Sequence, residues 1–286
     1  MNQLFRRGAT CVAMSLLLVQ SYSFAATAPY FEGFDGYAAG DTTVANFTEA
    51  PTSLWLIESP SYSGNAYEAG ASVFSSGTGV AVGQNLSAGI DFPALGSSSF
   101  SMSTTFRIDT LTLAGSDAAN TVTFGLFARS AGIDPAFTNW DRYQVTYFLD
   151  SDASGHATGK LWLRENNLFF GDSLNEISVG TMPVSLGDIY QLTFAGVDSG
   201  GSLALTATIT NLNTAASISV SDTDGSNLLA HTNFGYINLA YVEDGGTVAF
   251  NADFDNFSMV VPEPAAITLL ATALATTCLL RLRRPR

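Results

Sequence analysis

Closely spaced aspartates near the middle of the chain are of a residue type suited to binding calcium. Asp150 and Asp152 occupy alternate positions before Gly155 in the segment DSDASG. Ca²⁺ takes several oxygen ligands, and acidic loops that contain glycine can supply them. The twelfth position of such a loop is Leu161, which has no ligating oxygen, so the segment is not an EF-hand. Two interpretations stay open: a calcium site at Asp150 and Asp152, or a polar hairpin turn.

A second acidic group belongs to the two ends of the central part of the chain. Glu32 and Asp35 lie in the opening stretch YFEGFDG, and Asp253 and Asp255 lie in the closing stretch VAFNADFDNFSM. If the first and last strands pair, these carboxylates approach one another, and crowded carboxylates repel unless a cation lies between them. The pattern predicts either a structural calcium site or an exposed acidic edge that discourages strand aggregation.

Three tryptophans are candidates for a sugar-binding platform: Trp55, Trp140 and Trp162. Trp162 is the most informative, because Leu161 and Leu163 flank it in the segment KLWLR. Side chains alternate between the two faces of a strand, so if these leucines face a core, Trp162 faces outward. The alternative for each tryptophan is packing between two sheets, which is common for large aromatic side chains.

Other kinds of chemistry find little support in the sequence. His156 and His231 lie in or beside turn segments. They lack the spacing of a zinc site, and no sequence motif pairs them with a nucleophile for a Ser-His-Asp triad. Cys11 and Cys278 lie near the two ends, so the central part has no thiol chemistry and no disulfide. The net charge of −14, concentrated in that central part, disfavours binding to nucleic acid.

Alternation with a period of two dominates from about residue 30 to residue 260 and predicts β-strands. Five segments show this alternation: FSMSTTFRI, TVTFGLFA, YQVTYFL, YQLTF and LALTATI. In each, the residues on one face are apolar, apart from Thr104 in the first segment. Turn segments rich in Gly, Asp and Ser separate them. In the closing stretch, Phe254 and Phe257 are three residues apart, so regular alternation would place them on opposite faces. If both face the core, a bulge lies near Asp255 and Asn256. One antiparallel β-sandwich over residues 26–260 is the simplest arrangement.

The opening FEGFDGYAAG, the alternating strands and the late FDNFS resemble the concanavalin A-like (laminin-G-like) jelly-roll domains. The resemblance implies an all-β, antiparallel jelly-roll β-sandwich, and in sugar-binding jelly rolls calcium can lie beside the first and last strands. Carbohydrate-cleaving members of the group carry a motif close to E-x-D-x-x-E on one strand, which this sequence lacks. The resemblance therefore favours binding over catalysis. A galactose-binding-type jelly roll is the alternative fold.

The N-terminus has the pattern of a signal peptide. Arg6 and Arg7 precede the short apolar run GATCVAMSLLLV, and small residues follow it. Ser23 and Ala25 supply the small side chains that signal peptidase requires, so cleavage is expected after Ala25. Residues 1–25 are thus predicted to direct export across the inner membrane.

The C-terminus, VPEPAAITLLATALATTCLLRLRRPR, predicts a hydrophobic helix after a proline-rich break. At about 1.5 Å per residue, the apolar run is short for a hydrocarbon core of about 30 Å. Arginines after it mark the cytoplasmic side: Arg281, Arg283, Arg284 and Arg286. Together with Pro262, Glu263 and Pro264, residues 261–286 resemble the PEP-CTERM sorting signal of Gram-negative bacteria. That resemblance implies an exosortase as processing partner and a transient membrane anchor.

These features predict an exported, non-enzymatic β-sandwich that is sorted to the cell envelope or to an extracellular matrix. The PEP-CTERM resemblance implies polysaccharide of a biofilm matrix as the partner, and calcium is the only expected cofactor. Two alternatives stay open: a carbohydrate-active enzyme with carboxylates that the sequence does not pair, and a structural or adhesive matrix protein without a specific ligand.

Overall fold

A computed structural model describes most of the central part of the chain and none of its two ends. The described residues are 28–33, 55–57, 61–62, 67–75, 81–85, 88–96, 98–114, 120–131, 141–151, 157–166, 177–225, 228–243 and 246–261. The predicted signal peptide, the PEP-CTERM segment with its hydrophobic helix, and Asp35, Trp140, Asp152 and His156 lie outside them.

Within the described ranges, eight strands form sheet A, which is antiparallel. In chain order they are β1 (Tyr30–Glu32), β3 (Ser61–Tyr62), β4 (Tyr67–Ser75), β7 (Phe100–Ala114), β12 (Ile189–Asp198), β13 (Leu203–Asn211), β14 (Ser217–Asp224) and β16 (Thr247–Val260). Their spatial order is β14-β13-β12-β7-β16-β4-β3, with β1 also paired to β16.

Eight further strands of the described part of the chain form sheet B, which is also antiparallel. In chain order they are β2 (Trp55–Ile57), β5 (Ala81–Asn85), β6 (Ala88–Asp91), β8 (Thr121–Ser130), β9 (Arg142–Ser151), β10 (Ala157–Asn166), β11 (Ile177–Pro183) and β15 (Asn233–Glu243). Their spatial order is β11-β10-β9-β8-β15-β6-β2, with β5 also paired to β15. A short 3₁₀ turn, Pro93–Leu95, connects β6 to β7.

The chain passes repeatedly between the sheets, which makes the sandwich a jelly roll. Strand β7 lies in sheet A, β8 to β11 in sheet B, β12 to β14 in sheet A, and the last two strands lie one in each sheet. The central pairs β7–β16 and β8–β15 therefore join segments that are distant in sequence. This architecture confirms the predicted all-β, antiparallel jelly-roll β-sandwich.

Aromatic side chains from both sheets fill the centre of the sandwich. Phe106 of sheet A stacks on Tyr190 and Phe254 at 5.4 Å between ring centroids, and it lies 5.7 Å from Phe124 of sheet B. Tyr236 of sheet B lies 5.0 Å from Phe254. Each such contact stabilises the fold by about 0.5–1.5 kcal/mol beyond its burial. The alternating residues that the sequence assigns to an inner face are buried, among them Phe100, Met102, Val145, Leu192 and Leu205.

The two ends of the described region pair as predicted. Strand β1 lies antiparallel to β16, with Glu32 opposite Phe257. The register between β16 and β7 shifts between Asp255 and Ser258, so Phe254 and Phe257 are both buried. Asn256 adopts the left-handed conformation with φ of 54°, which asparagine tolerates better than most residues. The predicted bulge is confirmed.

Candidate functional site

The outer face of sheet B at β9 and β10 combines aromatic and charged side chains. Leu161 and Leu163 are buried in the core, so Trp162 between them points to the other face of the sheet. The register places Trp162 opposite Thr146, and Lys160 opposite Phe148. The sequence prediction that Trp162 faces outward is therefore confirmed.

Trp162 and Phe148 form a stacked pair on this face. Their ring centroids lie 4.1 Å apart and their planes differ by 8°. Both side chains are only partly buried, so the pair keeps surface accessible to a ligand. The indole Nε1 of Trp162 is shielded from solvent and has no hydrogen-bond partner within the described ranges. A buried N–H without an acceptor is costly, and a ligand oxygen or a water molecule can satisfy it.

Three cationic side chains lie near the Trp162–Phe148 pair on β9 and β10. Arg164 follows on β10 and lies opposite Gln144 of β9, which makes Arg164 and Arg142 diagonal neighbours across the strand pair. Such neighbours are about 7–8 Å apart. On the other side of the aromatic pair, Lys160 forms an ion pair with Asp150 at 2.8 Å. We call Arg142, Phe148, Lys160, Trp162 and Arg164 the sheet B cluster.

Arg142 is the most enclosed cation of the sheet B cluster, with 5% of its surface exposed. Its guanidinium lies over the ring of Phe127, 5.7 Å from the centroid, and its Nε donates a hydrogen bond of 3.0 Å to Gln144. Burial, together with the nearby charge of Arg164, lowers the pKa of Arg142 to about 9. The charge of Arg164 therefore makes the charged form of Arg142 less stable.

The structure says less about the other two tryptophans. Trp55 lies in β2, with its backbone paired to that of Ile90 at the end of sheet B. Trp140 lies outside the described residues. Their roles in binding stay predictions.

Glu32, Asp253 and Asp255, the described members of the predicted acidic group, have different surroundings, and Asp35 lies outside the described residues. Glu32 is 2% exposed and lies on the core side of β1, where Tyr30 donates a hydrogen bond of 3.3 Å to it. Asp253 points to the outer side of sheet A and forms an ion pair of 2.9 Å with the exposed Arg107. Asp255 accepts hydrogen bonds from the backbone and side chain of Asn256.

The calcium candidate at Asp150 and Asp152 is half described, because Asp152 lies outside the described residues. The carboxylate of Asp150 accepts a hydrogen bond of 2.9 Å from Thr158 as well as the ion pair with Lys160, which fits the polar hairpin interpretation. Within the described part of the chain, no three or more Asp, Glu, His or Cys side chains are grouped so that they could hold a metal ion. Calcium binding stays a prediction.

Two polar groups inside the sandwich were not foreseen from the sequence. The hydroxyl of Tyr143 donates a hydrogen bond of 2.5 Å to Asp224 and accepts one of 3.1 Å from the Leu229 amide. Burial, and secondly the hydrogen bond to Asp224, raise the pKa of Tyr143 well above its usual range. Glu165 lies opposite Tyr143 in the register and is fully buried. These carboxylates are enclosed in the core, so a polymer chain has no direct access to them.

The second group connects the two sheets. Arg129 of β8 is 1% exposed and forms an ion pair of 2.6 Å with Asp198 of β12. It also donates hydrogen bonds to the carbonyl oxygens of Leu229 and Ser98. Burial alone would raise the pKa of Asp198, but Arg129 and the Gly200 amide together lower it below the ordinary value. Two signals in the sequence indicated buried acids. Glu165 shares a strand face with Leu161 and Leu163, and β14 ends in aspartate.

His231, the described histidine, lies in the connection between β14 and β15 and is partly exposed. Among the residues with described structure, no helix has the length and apolar character needed to cross a membrane.

Comparisons with known proteins show similarity to other β-structures at low identity. No family model matches the chain, and no curated protein matches it. Among solved structures, lectin II from Ulex europaeus is 13% identical with a TM-score of 0.44, over 81% of this chain and 99% of the lectin. A mutant of the alginate lyase Aly36B in complex with an alginate tetrasaccharide is 11% identical with a TM-score of 0.45, over 83% and 98%.

Scytalido-glutamic peptidase is 19% identical with a TM-score of 0.36, over 56% of this chain. The chain spans 65% of the length of that peptidase. Because these TM-scores lie below 0.5, the similarities give no basis for assigning a ligand or an activity.

Proposed function

We propose that this protein is an exported, non-enzymatic β-sandwich that binds polysaccharide through the sheet B cluster. The observation that carries the proposal is the partly exposed stack of Trp162 on Phe148, with an indole N–H that has no acceptor within the described ranges. Stacked aromatic rings provide a flat apolar surface for the C–H face of a sugar ring, and a polar handle such as an indole N–H can orient it.

The sequence supports the place where this binding would occur. A signal peptide at residues 1–25 and a PEP-CTERM-like segment at residues 261–286 are consistent with export across the inner membrane and processing by signal peptidase and an exosortase. The destination would be the cell envelope or an exopolysaccharide matrix. The negative charge of the chain suits a secreted protein that does not bind nucleic acid.

A binding role suits the described carboxylates better than a catalytic role. Glycoside hydrolysis needs two carboxyl groups that flank an accessible bond. Glu165 and Asp224 are enclosed in the core, and Asp150 is held by Thr158 and Lys160. The proposal therefore assigns no catalytic residue.

The test is a binding measurement with the full-length chain in mild detergent against a panel of soluble polysaccharides. Trp162→Ala is expected to weaken binding by tenfold or more, because it removes the platform and the N–H together. Trp162→Phe keeps an aromatic ring but lacks the N–H, so it separates stacking from hydrogen bonding. Phe31→Ala, which removes an aromatic ring 64% exposed at β1, is the matched control.

Two results would overturn the proposal. One is the absence of binding to every polysaccharide tested, which would favour a structural matrix protein. The other is wild-type affinity of Trp162→Ala, provided that its melting temperature shows that it is folded.

A further inference from the structure

Three exposed apolar side chains lie at the same end of sheet A, on its outer side. They are Phe31 of β1, Val197 of β12 and Val260 of β16, which are 64%, 58% and 42% exposed. Phe31 lies opposite Ser258, so it is a diagonal neighbour of Val260 at about 7–8 Å. Val197 lies two strands away, because β7 separates β12 from β16. We call Phe31, Val197 and Val260 the end patch.

The chain around the end patch is almost free of charge. Four segments meet at this end: 28–31, 98–101, 197–204 and 258–261. Asp198 is the only residue in them with a charged side chain, and its ion pair with the buried Arg129 neutralises it. In a chain with a net charge of −14, this is an end at which another surface meets little electrostatic repulsion.

Both predicted membrane segments are attached at this same end. Strand β1 begins beside the end of β16, so residues 1–27 join the described region next to Val261. On the other side, residues 262–264 are all that separate Val261 from the apolar run that begins at Ala265. The four backbone steps from Val261 to Ala265 span at most about 14 Å. If the apolar run enters a bilayer, the end patch is therefore held close to the bilayer surface.

On the basis of the proposed export and processing, we infer that the end patch contacts the lipid surface while the C-terminal segment is still attached. Phenylalanine and aliphatic side chains enter the boundary between headgroups and acyl chains. The short connection makes this contact intramolecular, with an effective concentration in the millimolar range, so a patch of three side chains is sufficient.

This orientation leaves the sheet B cluster accessible to polysaccharide. The strands then stand away from the bilayer, and β9 begins at Arg142, near the end that carries the end patch. Trp162 lies opposite Thr146, four residues further along β9, which places it roughly 13 Å further from the bilayer. A polysaccharide can therefore bind to the side of the sandwich while the end patch contacts lipid.

The experiment measures the depth of single labels on the full-length chain in phosphatidylcholine vesicles. Cys11→Ser and Cys278→Ser remove the native thiols, and a fluorophore is attached to Phe31→Cys or to Val197→Cys in separate variants. Leu186→Cys is the matched control, since Leu186 is apolar, 54% exposed and precedes the opposite end of β12. Quenching by brominated lipid is expected to be roughly threefold or more stronger at both test positions than at the control.

Lipid charge provides a second measurement. Because the protein is acidic and the end patch contains no cation, phosphatidylglycerol in the vesicles is expected to weaken the quenching at low salt. Raising the salt from about 50 mM to about 500 mM is expected to restore it, since the repulsion is screened. Stronger quenching on anionic vesicles at low salt would mean that cations elsewhere make the contact, which would overturn the inference.

The other outcomes separate this inference from the proposed function. Equal quenching at all three positions, or none in a chain that floats with the vesicles, would overturn the lipid contact alone. Labels protected from iodide but not quenched by brominated lipid would assign the end patch to a second copy or to another segment of the chain. A chain that does not float with vesicles would overturn the membrane step as well. Polysaccharide binding, measured on the same samples, reports on the proposed function independently.

Discussion

The outer faces of the two sheets obey the same alternation but carry different chemistry. On sheet A, hydroxyl side chains form a row across five strands, in register from Ser258 through Ser103, Thr193 and Thr208 to Ser219. Ser103 and Ser258 lie 2.9 Å apart, and Thr208 and Ser219 lie 2.8 Å apart. These hydroxyls satisfy one another, and such cross-strand pairs stabilise a sheet.

The outer face of sheet B at β9 and β10 is different. There the Trp162 indole N–H has no acceptor within the described ranges, and Arg142 and Arg164 lie as diagonal neighbours. Sheet A therefore gains stability from its outer polar groups, whereas on sheet B the Trp162 indole N–H is a donor that the proposed ligand would satisfy. Alternation along a strand determines which side chains face outward. Whether those side chains already have hydrogen-bond partners then indicates whether the surface is suited to binding a ligand.

The largest expected effect concerns the contact that holds both sheets in place. Arg129→Met removes the partner of Asp198 and two donors to backbone carbonyl oxygens. Breaking a buried ion pair in this way is expected to cost about 3–5 kcal/mol of unfolding free energy. Denaturant unfolding measures it, with the exposed Arg107→Met as the matched control at about 0–1 kcal/mol. Similar losses for the two variants would contradict the assignment.

A smaller effect is expected for the other partner of that contact, and it depends on pH. Asp198→Asn is expected to cost about 1.5–3 kcal/mol at pH 7, the range for hydrogen bonds to charged groups. The pKa of Asp198 is lowered in the folded protein, so its stabilising contribution is present above the unfolded value of about 3.9. That contribution disappears as the pH falls through the folded pKa.

Melting curves of the wild type and of Asp198→Asn from pH 7 to pH 3 measure this dependence. The difference between them is expected to stay constant down to about pH 4 and to shrink below it. A difference that grows as the medium becomes more acidic would refute the assignment.

Phe148→Ala tests the difference between the two faces directly. It removes the ring on which Trp162 stacks, so the affinity for polysaccharide is expected to fall by about tenfold, or roughly 1.4 kcal/mol. Thr193→Ala, in the hydroxyl row of sheet A, is expected to bind as the wild type does. If Thr193→Ala lowers the affinity as much as Phe148→Ala, the hydroxyl row is also a binding surface.

The smallest expected effect is on the hydroxyl row itself. Ser103→Ala removes the hydrogen bond to Ser258 and is expected to cost about 0.2–1 kcal/mol of unfolding free energy, without a change in affinity. Chemical denaturation and polysaccharide titration on the same sample check both parts. A stability loss well above this range would mean that the row contributes more than ordinary cross-strand pairing.

Local patterns were sufficient for much of the fold. The strict alternation in FSMSTTFRI predicted which residues of β7 are buried, because a strand exposes successive side chains on opposite sides. In YQVTYFL of β9 the predicted inner residues are buried, but Gln144 and Thr146 on the other face are buried as well, which the alternation did not predict. The same reasoning predicted the outward direction of Trp162 and the bulge near Asp255. It did not predict that Glu32 is buried while Asp253 pairs with the exposed Arg107, since pairing of two strands does not reveal which sides their carboxylates occupy.

The sequence by itself therefore determined the strand pattern, the two faces of each strand and the strongly acidic charge, because these depend on residues close together in the chain. Tertiary structure alone decided which distant residues became neighbours. Phe148 meets Trp162, and Arg142 lies near Arg164, only because β9 and β10 pair in one register. Arg129 reaches Asp198 only because the two sheets pack face to face. Register and sheet packing minimise the free energy of the whole domain, so no short stretch of the chain encodes them.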